Sequence, residues 1–540
     1  MSDKPQKIIV AGGGTAGLIT ALILKKRLNV DVKVLAPKDI GIIGVGEGST
    51  EHWADFLFFM QETASQSLIK TKGTIKTGIF FDGWTPGRGN YIHTISGDWS
   101  QKMGNSSALY FQEFADETPN INLCPPEQLV SKIGDFYDKN GQRHDAGGYN
   151  QFHFNTFELN NYLVELCNKF KVDVIDDKIT NLHVEDGEIE WIETEKGGRE
   201  TADWYIDSTG FKRLLISAVG GYWQSYRDYL PLKEAIAFPT EDQEPNYNMW
   251  TRAKAMKNGW MWTIPTYGRT GNGYIFDTDF INKDQAHEEV NKVFGREIEI
   301  AKHIKFNPGK VNKSWIKNVI AVGLSANFLE PLEATSIGTS IQSAFALMHR
   351  LHRNTSQYDI DQYNRQIDGI FYNTRDFVAL HYINDNRQSD FWQRCSELKI
   401  PSSLERYLEV WKTRPLDRGD LDEENNGYTL FAEDNFNMIA YCHGILKSET
   451  VKNYLNSFNP HFVKLYKEHH TKLNLKMRKD PDNFQGPTMD RPGIGFIKHK
   501  DYMKELHRHA GKYWRIVYED MRGKPVQTFN GPTLANPFEI

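Results

Sequence analysis

A glycine-rich loop near the start of the sequence has the residue types and spacing that bind a dinucleotide. The loop lies between an apolar run at 8–11 that predicts a strand and a run at 18–28 that predicts a helix. In that setting the first glycine makes the turn, the second lets the backbone approach a pyrophosphate, and the third lets the helix pack on the strand. An ordinary glycine turn is the alternative, and the flanking elements favour the dinucleotide. The residues of this Gly-x-Gly-x-x-Gly pattern are Gly12, Gly14, Thr15, Ala16 and Gly17.

Three later loops are predicted to border the same cofactor. One is a second glycine-rich stretch before a predicted helix from about residue 51, one is the turn after a strand that ends at Asp207, and one follows a buried strand that ends at Gly323. The second strand, by contrast, ends at Ala36 without the acidic residue that commonly takes the ribose hydroxyls. The loops therefore predict an extended dinucleotide but do not identify it. The second glycine-rich stretch contains Gly46, Glu47, Gly48 and Ser49.

Four further side chains, each taken alone, allow both a structural and a functional interpretation. Trp260 and Trp262 are core residues in the ordinary case, but bulky rings beside a flat cofactor would keep an organic substrate away from it. Lys76, on a predicted strand at 75–84, is more often directed to solvent, whereas burial would lower the pKa of its amine. Glu333 precedes a predicted helix at 337–353 and could simply stabilise the helix N-terminus.

The chain as a whole is long enough for two or more domains and carries no strong charge. Its 540 residues have a net charge of −6, which gives no basic excess for nucleic acid binding. Its four cysteines are far apart, so we expect neither a disulfide framework nor a metal site and favour a reducing cytoplasm. The sequence contains neither a signal peptide pattern nor an apolar run of 18 residues, so no membrane association is expected. A small-molecule partner is predicted.

Read together and in order, several segments resemble the flavin-dependent halogenases, specifically the tryptophan halogenase-like branch. The stretch 259–265 is similar to the family's Trp-x-Trp-x-Ile-Pro motif, which includes Pro265, and 75–80 is similar to the segment that bears its catalytic lysine. The stretch 328–337 is similar to the loop that bears its catalytic glutamate and halide site. The resemblance spans roughly residues 5–450. It implies an α/β (α+β) fold of the FAD-binding, Rossmann-like, two-dinucleotide-binding type, with a mostly helical substrate module.

The resemblance also implies roles for particular residues. Lys76 and Glu333 would be catalytic, Thr335 and Ser336 would bind a halide at a helix N-terminus, and Ile337 would contact the flavin. FADH2 would come from a separate flavin reductase, since no nicotinamide site is evident. With O2 and chloride or another halide it would yield hypohalous acid, which would reach Lys76 and halogenate an electron-rich small aromatic molecule. The tryptophan pair would separate the flavin from a second cavity lined by the lysine and the glutamate.

The substrate region departs from the family pattern. Phe436 stands where a tryptophan is usual and His443 where a glutamine is usual, so free tryptophan is not supported as the substrate. Two other functions stay open at this stage: an FAD-dependent aromatic hydroxylase, and a non-catalytic flavin-binding protein. The predicted FAD module is discontinuous, and an oligomer is possible. The predicted boundaries are 1–110, 150–225 and 300–353 for the FAD module, 226–299 and 354–455 for the substrate module, and 456–540 for a loop-rich extension.

Overall fold

The computed structural model describes the greater part of the chain, and thirteen α-helices have defined bounds within that part. The described residues are 4–38, 41, 47–76, 78–93, 133–134, 151–241, 247–248, 250–425, 427–461, 463–464, 496–497, 500, 503–504, 507, 514–519 and 525–531. The helices are α1 Thr15–Arg27, α2 His52–Met60, α3 Ala64–Lys70, α4 Thr156–Lys169, α5 Leu214–Ala218, α6 Lys283–Phe294, α7 Thr335–Arg350, α8 Gln357–Tyr382, α9 Asp390–Cys395, α10 Ser402–Val410, α11 Arg418–Asn425, α12 Glu433–Cys442 and α13 Ser448–Leu455.

The strands of the described residues form several sheets. In chain order they are β1 Gln6–Ala11, β2 Val30–Leu35, β3 Glu47–Gly48, β4 Thr74–Lys76, β5 Gly78–Asp82, β6 Tyr91–His93, β7 Ile133–Gly134, β8 Gln151–Phe154, β9 Asp173–Ile175, β10 Ile179–Glu185, β11 Glu188–Thr194, β12 Gly198–Glu200, β13 Trp204–Asp207, β14 Trp223–Ser225, β15 Glu234–Glu241, β16 Trp250–Met256, β17 Gly259–Thr266, β18 Arg269–Phe276, β19 Lys302–Lys305, β20 Gly309–Val311, β21 Trp315–Ile316, β22 Val319–Ala321, β23 Asn327–Phe328, β24 Phe496–Ile497, β25 Trp514–Glu519 and β26 Pro525–Gly531.

A six-stranded sheet in the order β21-β22-β13-β1-β2-β9 carries the first glycine loop. Its strands are parallel except for β21, and the last four residues of β1 are buried, as expected for a strand covered on both faces. Helix α1 is buried from Gly17 to Leu24 and packs against α7 and α4. Because parallel strands end at one edge, the loops after β1, β2, β13 and β22 meet there.

A seven-stranded sheet in the order β19-β15-β18-β17-β16-β5-β6 carries the tryptophan pair on its central strand β17. A small sheet, β3-β8-β4, lies beside it and holds the second glycine-rich stretch and Lys76 on either side of β8. The predicted strand at 75–84 is divided: β4 pairs in the small sheet, and β5 in the large one. Lys76 therefore lies at the junction of the two sheets.

The helical part of the substrate module is confirmed, since residues 354–455 form α8 to α13. Residues 226–299 instead contribute four long strands and helix α6. The seven-stranded sheet joins their strands to β5 and β6 from the stretch 1–110 and to β19 from the stretch 300–353, two of the three stretches predicted as FAD module. The module boundaries stay a prediction. In the predicted loop-rich extension the described residues include β24 to β26. Within the described residues, none of the helices combines the length and the apolar character needed to cross a membrane.

Candidate active site

A cavity of about 990 Å³ opens at the carboxyl edge of the six-stranded sheet. The first glycine loop forms one wall, and its glycines act as predicted. Gly12 has φ +111°, and a Cβ there would lie 2.2 Å from the carbonyl oxygen of Ser208. A Cβ on Gly17 would lie 2.4 Å from the carbonyl oxygen of Gly12, whereas Gly14 has no heavy atom within 4 Å of its Cβ position. The backbone at Gly14 is therefore open to a ligand.

The predicted cofactor contacts divide into those that reach this cavity and those that do not. Gly17 and Ser49 are absent from the lining among the described residues: Gly17 is at the helix–strand contact, and Ser49 is fully buried with its hydroxyl accepting from the N–H of Phe152. Gly46 lies outside the described residues. The residues that line the cavity as predicted are Gly12, Gly14, Thr15, Ala16, Glu47, Gly48, Gly323 and Ile337.

Asp207 organises the loop beside the cavity rather than lining it. Its carboxylate accepts hydrogen bonds from the hydroxyls of Thr209 and Ser325 at 2.7 and 3.0 Å, and from the N–H groups of Thr209, Leu215 and Ile216 at 2.8 to 2.9 Å. With these five donors satisfied internally, the carboxylate fixes the turn after β13 and the start of α5. Asp207 thus supports the loop after β13, and its predicted direct contact with the cofactor stays a prediction.

The acidic residue absent from the end of β2 has a counterpart at the end of the neighbouring strand. Ala36 lines the cavity, as do Asp176 and Asp177 just after β9. The carboxylate of Asp176 accepts from the N–H of Lys38 at 3.0 Å and pairs with Lys196 at 3.0 Å. Sequence reasoning missed this carboxylate, although its position directly after a predicted strand was a signal for it.

Lys76 is 1% exposed, although it carries an amine. Its Nζ donates to the carbonyl oxygen of Ser49 at 2.9 Å. Burial lowers its pKa to about 8, against the opposing attraction of Glu333 and Glu51. A Cβ on Gly48 would lie 3.4 Å from this Nζ and 3.3 Å from the Cβ of Ala334. Gly48 lines the cavity, so Lys76 lies directly behind the cavity wall at that glycine.

Glu333 is fully buried between two histidines. Its Oε2 is 2.7 Å from Nδ1 of His93 and its Oε1 is 2.9 Å from Nε2 of His381. Burial alone would raise its pKa, but the charges and hydrogen bonds of the two histidines outweigh it and lower the pKa to about 2. Both histidines were missed as site residues, because no local pattern links them to Glu333.

The backbone of Glu333 turns the chain into helix α7. Glu333 and Ala334 have φ values of +66° and +54°, a left-handed conformation that non-glycine residues rarely adopt. Helix α7 begins at Thr335, directly after these two residues. Thr335 and Ser336 form the first turn of that helix and line the cavity. Their backbone N–H groups belong to the unpaired first turn of a helix, where anions bind.

The tryptophan pair lines the same cavity, as predicted. The rings of Trp260 and Trp262 lie 6.0 Å apart, and the Nε1 of Trp260 donates to Oε1 of Glu330 at 3.0 Å. Tyr382 donates to the same oxygen at 2.7 Å. Glu330 is buried, which raises its pKa to about 7. Pro265 does not line the cavity; its carbonyl accepts from the hydroxyl of Thr74.

Phe436 and His443 lie in the core near Glu333 rather than on the described cavity. Phe436, on α12, packs against Phe377 with ring centres 4.9 Å apart. The Nε2 of His443 accepts a hydrogen bond from the hydroxyl of Tyr91 at 2.7 Å. The ring centre of His443 is 6.2 Å from that of His381. A role for both in the substrate pocket stays a prediction.

Two observations bear on the predicted second cavity. Lys76 is buried and the tryptophan rings border the flavin side, as it requires. Glu333 also belongs to the lining of the large cavity. Residues 94–132 and 135–150, which follow β6, lie outside the described residues, so the separate substrate cavity stays a prediction.

Comparison with known proteins identifies the family. The family model described as tryptophan halogenase matches residues 7–457. The chain belongs to the tryptophan halogenase family. A tryptophan 6-halogenase of Streptomyces toxytricini is 27% identical over 489 residues, which cover 82% of this chain and 87% of the relative. A tryptophan 7-halogenase of Lentzea aerocolonigenes is 26% identical over 442 residues, covering 76% and 83%. The crystal structure of a tryptophan halogenase from Shewanella frigidimarina has the same fold, with a TM-score of 0.82 at 21% identity over 94% of this chain and 98% of that one.

Membership confirms the predicted resemblance, fold class, enzyme class and cofactor. The chain is a flavin-dependent halogenase, which uses FADH2 and a halide to halogenate an aromatic substrate. The hydroxylase and the non-catalytic flavin-binding protein are not favoured. The cavity fits FAD, because its size is that of a large ligand site and because Gly14 and the first turn of α1 leave backbone donors open to a pyrophosphate.

Proposed function

We propose that Lys76 and Glu333 form the halogenating centre of this enzyme, on the far side of Trp260 and Trp262 from the flavin. The observation that carries the proposal is a buried amine just behind the flavin cavity wall, close enough to the buried carboxylate of Glu333 for that charge to act on its pKa. Bound FADH2 supplies the electrons with which O2 and halide yield hypohalous acid. Thr335 and Ser336 hold the halide at the start of α7, where both line the flavin cavity.

The tryptophan pair lets hypohalous acid pass and excludes the larger arene. Trp260 is held by its hydrogen bond to Glu330, and the ring of Trp262 lies on the backbone of Gly273, where a Cβ would fall 2.0 Å from it. Two fixed rings in a densely packed interior leave room for a triatomic acid but not for an arene. Direct oxygen transfer to the substrate is therefore suppressed.

Lys76 receives the hypohalous acid. With a pKa of about 8, roughly a tenth of its amine is uncharged at pH 7, which is enough for haloamine formation, and the ammonium form can donate a hydrogen bond to the acid. The electrophilic halogen then forms a bond to a ring carbon of the substrate as its bond to the oxygen of the acid, or to the lysine nitrogen of the haloamine, breaks. The oxygen leaves as water, either when the haloamine forms or when the ammonium donates its proton, and the electron pair of a broken nitrogen–halogen bond returns to the amine. The C–H bond at that carbon breaks, its electron pair restores the aromatic ring, and its proton goes to a carboxylate oxygen of Glu333. Each oxygen of Glu333 keeps a second lone pair beside its histidine contact.

The substrate is an electron-rich free aromatic molecule, and the reduced flavin comes from a separate reductase. The glutamate loop at 330–337 supports a free arene, because the related enzymes that act on carrier-bound pyrroles generally lack it. The experiment is to reduce the FAD-loaded protein without oxygen, then add O2 with chloride or bromide and a panel of indoles and phenols, and to analyse products by mass spectrometry. A halogenated product that needs halide supports the proposal. A hydroxylated product formed without halide, or turnover driven by nicotinamide alone, would defeat it.

A further inference from the structure

The cluster of His93, Glu333 and His381 is completely buried, and its proton content follows from its hydrogen bonds. All three residues have no exposed surface. The two imidazoles bond to different oxygens of one carboxylate, at 2.7 and 2.9 Å. Among the described residues no group of three such side chains is arranged to hold a metal ion. We therefore treat the contacts of the cluster as hydrogen bonds, and these contacts show how many protons the two imidazoles need.

Both ring nitrogens of His381 face oxygens that only accept hydrogen bonds, because the pKa of Glu333 is lowered to about 2 and its carboxylate is therefore ionised. Nδ1 lies 2.8 Å from the backbone carbonyl oxygen of Phe377, one turn earlier on α8, and Nε2 lies 2.9 Å from Oε1 of Glu333. A neutral imidazole has one N–H and one lone pair. In a neutral His381 the nitrogen without a proton would face an oxygen lone pair. That nitrogen and that oxygen would then be buried without a hydrogen bond between them, which costs free energy. Two N–H groups on His381 satisfy both contacts.

His93 does not impose the same demand. Its Nδ1 faces Oε2 of Glu333, and its Nε2 lies 2.8 Å from Oδ1 of Asn435. If the amide of Asn435 is reversed, its NH2 donates to Nε2, and a neutral His93 is satisfied. The contacts of His93 with Glu333 and Asn435 therefore do not require a second proton on that ring, whereas those of His381 do.

His443 provides a contrast in the same core. Its Nε2 accepts from the hydroxyl of Tyr91, and its Nδ1 lies 2.9 Å from the carbonyl oxygen of Ile383, so one donor and one acceptor suit a neutral ring. Burial first, and then repulsion from His381, lower the pKa of His443 to about 3. Two histidines whose ring centres are 6.2 Å apart are thus set in opposite protonation states.

We propose that His381 is a positioning residue for halogenation, which as an imidazolium holds Glu333 as an ionised and oriented carboxylate. The proposal rests on the proposed role of Glu333. The titratable groups that face His381 are Glu333, at the start of α7, and His443, at the end of α12; Phe81 stacks on its ring at 5.0 Å. The positive charge of His381 is thus directed at Glu333, which would otherwise take up a proton on burial and lose its capacity as a base.

The first test is neutron diffraction from deuterated crystals of the full-length protein at about pH 7. We expect deuterium on both ring nitrogens of His381 and on Nδ1 alone of His443, which serves as the internal control. Glu333→Gln should leave a single deuterium on His381, because the amide can donate to a neutral Nε2. A singly protonated His381 in the wild-type crystal, or one that stays doubly protonated in the glutamine variant, would overturn the proposal.

The second test is kinetic and compares His381→Gln with His287→Gln. His287 is a half-buried histidine on α6, bonded to the carbonyl of Ile298 and absent from the described cavity lining. His381→Gln should lower kcat for halogenation about tenfold or more, with KM for the arene and hypohalous acid production unchanged, whereas His287→Gln should change none of them. An unchanged kcat in His381→Gln refutes the positioning role. Absence of halogenation by the wild-type protein would count against the proposed function. The neutron experiment tests the protonation of His381 independently of that outcome.

Discussion

Replacing Lys76 by methionine should abolish halogenation and make the protein more stable. The native pKa of Lys76 is about 8 against 10.5 for an ordinary lysine, so burying it as an ammonium costs about 3 kcal/mol, at about 1.36 kcal/mol per pKa unit. Methionine has a similar length and no charge to bury. It loses the hydrogen bond to Ser49, which offsets about 1 kcal/mol. A net gain of about 2 kcal/mol should raise Tm by about 2 °C, since a chain of 540 residues has an unfolding entropy of about 1.1 kcal/mol/K.

The pH dependence of this gain has a definite sign. Because the pKa of Lys76 is lower in the folded state, the unfolded chain binds more protons between about pH 8 and 10.5. The penalty in the wild type is therefore complete below pH 8 and disappears as the pH rises toward 10.5. Calorimetry on the flavin-free proteins should show the larger Tm difference at about pH 7 and a smaller one at about pH 9.5.

Lys310 provides a matched control. It is also 1% exposed, but its Nζ pairs with Asp368 at 2.7 Å and donates to the carbonyl of Val311. Lys310→Met should lower Tm, because it leaves the carboxylate of Asp368 without its partner. A Lys76→Met protein less stable than wild type at pH 7, or a Tm difference that does not change with pH, would refute the reasoning on Lys76.

Three further changes test the site. Glu333→Gln should slow product formation by about 10² to 10⁴ without changing flavin affinity, and an unchanged rate would leave Glu333 with a helix-capping role only. Glu330→Ala should lower the halogenated product formed per O2 consumed severalfold, because Trp260 loses the bond that fixes it; Glu330→Gln, which keeps the accepting oxygen, should not, and equal yields would contradict this. Gly48→Ala places a methyl group 3.4 Å from Nζ of Lys76, so more hypohalous acid should escape to a chemical trap; an unchanged escape would show that the acid takes another path.

The parts of the fold that depend on local pattern were predictable from the sequence. The second predicted helix buries Trp53, Phe56, Leu57 and Met60, the four residues assigned to its apolar face. The first glycine loop lies between β1 and α1 for the same reason. The strand at 75–84 was only partly right, because its apolar alternation continues across the break between β4 and β5. Which sheet each half joins depends on its distant partners, β8 and β16.

The partners of the site residues could not be predicted in this way. His93 and Glu333 are 240 residues apart, and His381 is 48 residues from Glu333. A histidine next to an apolar run indicates neither burial nor a carboxylate partner. Glu330 belongs to the stretch 328–337 that resembles the family's glutamate loop. Only the structure shows that Trp260 and Tyr382 both donate to the same oxygen of its carboxylate. The resemblance predicted Lys76 and Glu333 as catalytic residues. The groups that set their charges are brought next to them only by tertiary packing.

Those charges suit the roles that we propose for Lys76 and Glu333. Burial pushes every ionisable group toward its neutral form, and it raises the pKa values of Glu47 and Glu330 to about 7. Glu333 is buried just as completely, yet two imidazoles hold its pKa at about 2, whereas burial lowers the pKa of Lys76 to about 8. The Nζ of Lys76 donates to the carbonyl oxygen of Ser49. The pKa of Glu333 is thus set by its charged partners and that of Lys76 by burial. An amine that can lose its proton beside a carboxylate that keeps none is the combination that halogen transfer followed by proton removal requires.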